Sequence, residues 1–161
     1  GGRVAIGGTA VVFALLHGAN PGVGRTALAN TFLAGILLGL LYWRTWSLWL
    51  VTGVHFAWNW GMGVAVGLPV SGLDVGPPWA GLAVEGPELW TGGEYGPEGG
   101  LVLTLITIAG IAWAARTPRL SRDPAVVALL PPLQEYDGSE STVAIRAGPP
   151  VRSSQTESEE S

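Results

Sequence analysis

Four apolar segments, residues 4–17, 27–43, 46–67 and 101–115, set the terms on which this chain can fold. Crossing the hydrocarbon core of a bilayer takes about 20 apolar residues in helical form. The second and third segments approach that length, and the first and fourth are shorter. Charged residues make up only 12% of the chain, against about 25% in soluble domains, and many of them lie near the C-terminus. The pattern predicts an all-α, polytopic transmembrane helix bundle of about four membrane segments, residues 1–116, surrounded by membrane lipids. Residues 117–161, rich in Pro, Ser and Glu, read as a polar, mostly disordered tail. The sequence opens at Gly1 inside an apolar segment, which reads as a piece of a longer protein.

The connections carry further information. Gly18-Ala19-Asn20-Pro21-Gly22 breaks the first segment. Arg44-Thr45 is so short that the second and third segments are expected to be antiparallel neighbours. Residues 68–100 form a long extramembrane loop rich in Gly, Pro and acids. Gly35 and Gly39 form a small-xxx-small pair, and Gly53, Ala57 and Gly61 form a small-residue stripe; both are surfaces for close helix packing and for possible helix–helix partners. If the segments alternate, Arg3, Arg44, Arg116, Arg119 and Arg122 share one side and Arg25 lies on the other. The positive-inside rule then puts the tail in the cytoplasm and the acidic loop outside; the membrane is expected to be a bacterial plasma membrane. Lysine is absent and the net charge is −4, so no basic patch points to nucleic acid. Cysteine is also absent, which removes disulfides and thiolate chemistry.

Polar side chains inside membrane segments are costly and usually mark function. His17 ends the first segment. His55 and Asn59 stand four residues apart in the third, on one helical face. Three readings compete for these residues. Each can simply be satisfied by a neighbouring helix. His17 and His55 can ligate haem iron or a divalent metal such as zinc from facing helices. Or the three can hold a water and an oxyanion for hydrolysis of a peptide bond within the membrane. Other intramembrane protease signatures are absent: Pro69-Val70-Ser71-Gly72 lacks the first glycine of G-x-S-G, Asp74 has no membrane partner, and there is no H-E-x-x-H.

Phe13-x-x-x-His17 resembles the second motif of the CPBP family, the CAAX protease and bacteriocin-processing (Abi) group, and His55-x-x-x-Asn59 resembles its third. Between them, the Gly-rich run 32–41 followed by Arg44-Thr45-Trp46-Ser47-Leu48 is similar to the family's glycine-rich helix and Arg-Thr-Gly-Ser-Leu-like turn, with Trp46 in the glycine's place. The resemblance covers about residues 4–67. It implies an intramembrane endopeptidase acting on a peptide or protein substrate, in which glutamates activate water while His17, His55 and Asn59 position it or stabilise the oxyanion. It also implies a metal as a possible cofactor, with His17 and His55 as ligands if one is used. The family's first motif, E-E-x-x-x-R ahead of the Phe-x-x-x-His helix, has no counterpart in this chain. Loop acids such as Glu85 or Glu94 would replace it only if the loop folded into the bundle, which is not expected. The alternative reading is a non-catalytic scaffold or degenerate relative, with bis-histidine haem binding behind it.

Overall fold

The computed structural model describes residues 1–122 and 124–128, all within one compact unit, Gly1–Leu130. The larger part of the expected disordered tail, residues 129–161, lies outside the described residues. The helices are α1 (Gly2–Leu16), α2 (Arg25–Thr45), α3 (Leu48–Trp60), α4 (Glu88–Thr91), α5 (Leu101–Arg116) and α6 (Pro124–Ala128). A π-helical stretch, Gly61–Val66, continues α3. Among the described residues the only β-type pairing is an isolated bridge between Val70 and Leu73, so the fold is all-α. By length and composition α2, with 21 residues, is a clear candidate to cross a membrane; α1 and α5 are shorter apolar helices.

Helix α2 is the centre, and α1 packs on it antiparallel. The register can be read from the close contacts. Gly2 lies under the Trp43 indole, Gly39 faces Ile6, and Gly35 faces Ala10. Each step of four residues along α1 is matched by a step of four back along α2, which is one helical turn on each side. The small-xxx-small pair is therefore used inside the chain. A Cβ added at Gly35 would stand 2.8 Å from the Ala10 Cα, whereas one at Gly39 would stand 3.2 Å from the movable Ile6 Cγ2. Gly35→Ala is expected to destabilise the fold by about 1–3 kcal/mol, as overpacking does against backbone. Gly39→Ala is expected to cost less, because Ile6 can rotate. Unfolding in detergent micelles measures both; equal losses would contradict this register.

Helix α5 runs parallel to α2 on another face. Thr104 meets Asn30, Gly110 meets Leu37, and the end of α5 meets Arg44. The Arg44 guanidinium donates to the carbonyls of Ala115 (2.9 Å), Thr117 (2.6 Å) and Leu120 (3.1 Å). It thus satisfies carbonyls that a helix C-terminus leaves without partners.

The α2–α3 turn is as short as expected, with only Trp46 and Ser47 between the two helices. Trp46 takes the left-handed conformation there, with φ 56°, a region that favours glycine and costs another residue about 1–2 kcal/mol. That is the physical reason a glycine suits this position. In this chain the Arg122 guanidinium lies 4.0 Å from the Trp46 ring centroid, a cation–π contact that offsets part of the strain. Ser47 then caps α3, its Oγ accepting from the Leu50 N–H at 3.1 Å.

The segment between Val66 and α5 does not stay clear of the helices. Tyr95 is fully buried and Val70 nearly so. The N–H groups of Trp79, Ala80 and Leu82 donate to the carbonyls of Val64, Ala65 and Val66. The loop therefore closes the end of the π-helical stretch, and Trp79 stacks edge-on against Trp60 with ring centroids 4.9 Å apart.

Candidate active site

Two histidines from different helices meet at one cavity. His17 terminates α1, where its Nδ1 lies 2.7 Å from the Phe13 carbonyl. A carbonyl only accepts, so Nδ1 carries the proton, and in the neutral ring Nε2 is left as the acceptor. His55 comes from the middle of α3. The Phe13 ring lies against both imidazoles, with centroids 4.5 Å from His17 and 5.6 Å from His55. The Phe-x-x-x-His spacing has a direct geometric sense: one turn of α1 sets the phenyl ring beside its own histidine and against the histidine of α3.

The cavity has a volume of about 220 Å³, room for several water molecules at about 30 Å³ each. Its polar wall holds His17, His55, Trp58, Ser71 and Glu98. Its floor is mostly apolar, with Leu37 and Leu38 of α2 and Leu103, Ile106 and Gly110 of α5, beside the polar Asn30, Thr31 and Thr107 of the same helices. Val54 and Ile106 line it and are also exposed on the outer surface.

Asn59 is half-buried and is not among the residues that line this cavity. The face that α3 turns to the cavity is Val54, His55 and Trp58. His17 and His55 are thus brought together, and the Asn59 side chain is not brought to the same wall.

The loop supplies what the sequence reading left outside. Glu85 and Glu94 are exposed. Glu98 instead enters the cavity, which corrects the expectation that the loop acids stay clear of the bundle. Its Oε1 accepts from the Trp58 indole N–H at 2.6 Å. Its Oε2 accepts from the Ser71 N–H and the Ser71 hydroxyl, both at 2.6 Å. Its main-chain carbonyl accepts from Asn30 Nδ2 at 2.8 Å, and the same amide donates to the Gly100 carbonyl at 2.9 Å. Asn30 is buried, and its Oδ1 accepts from the Thr104 hydroxyl at 2.6 Å. No signal in the sequence separates Glu98 from the other loop acids. An acid shortly before a helix start is common, because the helix N-terminus carries partial positive charge.

The donors can be tested against a metal or a haem. Among the described residues, no three His, Cys, Asp or Glu side chains are grouped so as to hold a metal ion. His17 and His55 make two ligands, whereas a catalytic zinc usually takes three from the protein. The Glu98 carboxylate beside them already accepts three hydrogen bonds. A porphyrin between the two imidazoles would need the space that the Phe13 ring fills. The residues of this chain do not by themselves fit either group.

No curated protein and no solved structure matches the chain. One family model does: Type II CAAX prenyl endopeptidase Rce1-like, over residues 1–61. The matched region takes in α1, α2 and α3 and ends just past Asn59. These residues carry both histidine motifs, and over them the chain is similar to the CAAX protease family.

Proposed function

We propose that this chain forms the histidine-bearing half of an intramembrane endopeptidase that hydrolyses a peptide bond next to a lipidated residue. The observation that carries the reading is the convergence of His17 and His55, from two helices, on one cavity with a polar wall and a mostly apolar floor. In this reading the free Nε2 of His17 and the His55 ring hold the attacking water and the oxygen that becomes negative when the carbonyl is attacked. The apolar part of the floor takes the lipid chain of the substrate. Asn59 acts from the adjacent face of α3. Water activation falls to a carboxylate, the role of the Glu-Glu-x-x-x-Arg motif in the family. That motif has no counterpart in these 161 residues.

Four membrane segments are part of the same proposal. Apolar side chains point outward from every long helix: Leu16 of α1, Trp43 of α2, Trp49 and Phe56 of α3, and Leu105 of α5 are all exposed. Such surfaces suit lipid. The contacts described above gather Arg44 and Arg122, with the start of α1 and the end of α5, at one end of the bundle. The positive-inside rule assigns that end to the cytoplasm.

The test uses the protein with its complete coding sequence, reconstituted in liposomes. It is offered a peptide ending in a farnesylated cysteine and three further residues, and the same peptide without the farnesyl group. Mass spectrometry is expected to find the released tripeptide from the farnesylated peptide and far less from the other. Folded protein that releases nothing from either peptide would overturn the reading.

A further inference from the structure

We propose that Glu98 is a positioning residue for the histidine site: it ties the loop across the cavity and fixes the rotation of α3 that presents His55. The proposal rests on the reading of His17 and His55 as the working groups.

Glu98 joins four parts of the fold at one side chain and one carbonyl. The carboxylate takes hydrogen bonds from α3, through Trp58, and from the loop, through Ser71. The carbonyl takes one from Asn30 of α2, which is itself bonded to Thr104 of α5. Trp58 stands three residues after His55, so the two side chains leave neighbouring points of one helical face. Holding the indole N–H at a fixed acceptor therefore holds the direction in which the imidazole points.

Ser71 gives a second, independent sign. Its φ is 49°, the left-handed region that a non-glycine residue rarely adopts. Such strain persists only where the surroundings over-determine it. Here the N–H and hydroxyl of Ser71 both point at Glu98, and its carbonyl accepts from Asn20 Nδ2 at 2.9 Å. The strained turn is held by the glutamate on one side and by the α1–α2 connection on the other.

Three donors occupy the carboxylate, so it acts as a fixed acceptor rather than as a group that carries a proton to substrate. This assigns it a positioning role. The glutamine variant separates shape from hydrogen bonding. Glu98→Gln keeps the length of the side chain but has one acceptor oxygen and one NH₂, which must face either Trp58 or Ser71 donor to donor.

The experiment compares wild-type and Glu98→Gln protein, full length and in nanodiscs, by three readouts. Hydrogen exchange is expected to speed up in peptides covering residues 69–73 and 96–100 and to stay unchanged over α1. Modification by diethyl pyrocarbonate, followed at each histidine, is expected to rise at His55. Where the wild type cleaves peptide, kcat is expected to fall about ten- to a hundredfold with KM changed much less, because misplacement by about 1 Å can cost that much. Trp58→Phe, which removes one donor and keeps an aromatic ring, is expected to shift the same readouts less. Combined with Glu98→Gln, it is expected to add little. Unchanged His55 labelling and unchanged exchange in both variants would overturn the proposal. Absence of cleavage by the wild type would remove the peptidase reading, while labelling and exchange would still decide whether Glu98 holds His55 in place.

Discussion

His55→Ala is expected to lower peptide cleavage by about a hundred- to ten-thousandfold, the range for losing a general acid–base or oxyanion group. The side chain lines the cavity beside His17 and makes an edge contact with Phe13. Nothing else on α3 can replace it, because the neighbours on that face are Val54 and the indole of Trp58. His17→Ala is expected to act similarly, and the double variant to be little worse than either single one, since groups that share one step are not additive. The check is kcat in liposomes, with thermal unfolding showing that the variants remain folded. Wild-type turnover in His55→Ala would exclude a role in the chemistry and favour a scaffold.

The largest effect on stability is expected from Asn30→Leu, at about 3–5 kcal/mol, the upper range for breaking a buried polar network. Leucine is close to asparagine in size but offers no polar atom. The carbonyls of Glu98 and Gly100 would each lose a donor, and the Thr104 hydroxyl an acceptor, in a place where Asn30 is only 1% exposed. A buried polar group without a partner costs about 1–3 kcal/mol. In the native fold, every buried side-chain nitrogen and oxygen among the described residues has a partner. Asn30→Asp keeps the acceptor for Thr104 but sets a buried carboxylate oxygen against the carbonyls of Glu98 and Gly100, so it should cost at least as much as Asn30→Leu. Equilibrium unfolding in mixed micelles measures the series. A loss below about 1 kcal/mol for Asn30→Leu would mean that the loop does not depend on α2 for its place.

What could be read in the sequence follows from which forces are local. Apolar runs and breakers placed the long helices to within a few residues: 27–43 became Arg25–Thr45, and 101–115 became Leu101–Arg116. Histidines in apolar helices stood out because so few polar groups share those segments, and the Phe13–His17 spacing survives as a ring contact. Gly35 was legible as a packing glycine, although its partner, Ala10, required the fold. Asn30 was not singled out. Its value lies in carbonyls about seventy residues away in sequence, which no window of local sequence contains. Glu98 was invisible for the same reason. Its composition matches that of Glu85 and Glu94, and only the donors on Trp58 and Ser71 distinguish it. Helical spacing put Asn59 on the His55 face, but the cavity opens toward the neighbouring stripe through Trp58, and which side of a face meets a void is decided by tertiary packing.

The docking of residues 79–82 on the last carbonyls of the π-helical stretch has a consequence for time. A free surface loop relaxes in nanoseconds to microseconds, whereas packed helices shift collectively over microseconds to milliseconds. Here the loop is hydrogen-bonded to Val64, Ala65 and Val66 and stacked on Trp60 through Trp79. At these bonds the loop is expected to move with the helix that carries His55, on the slower timescale of packed elements.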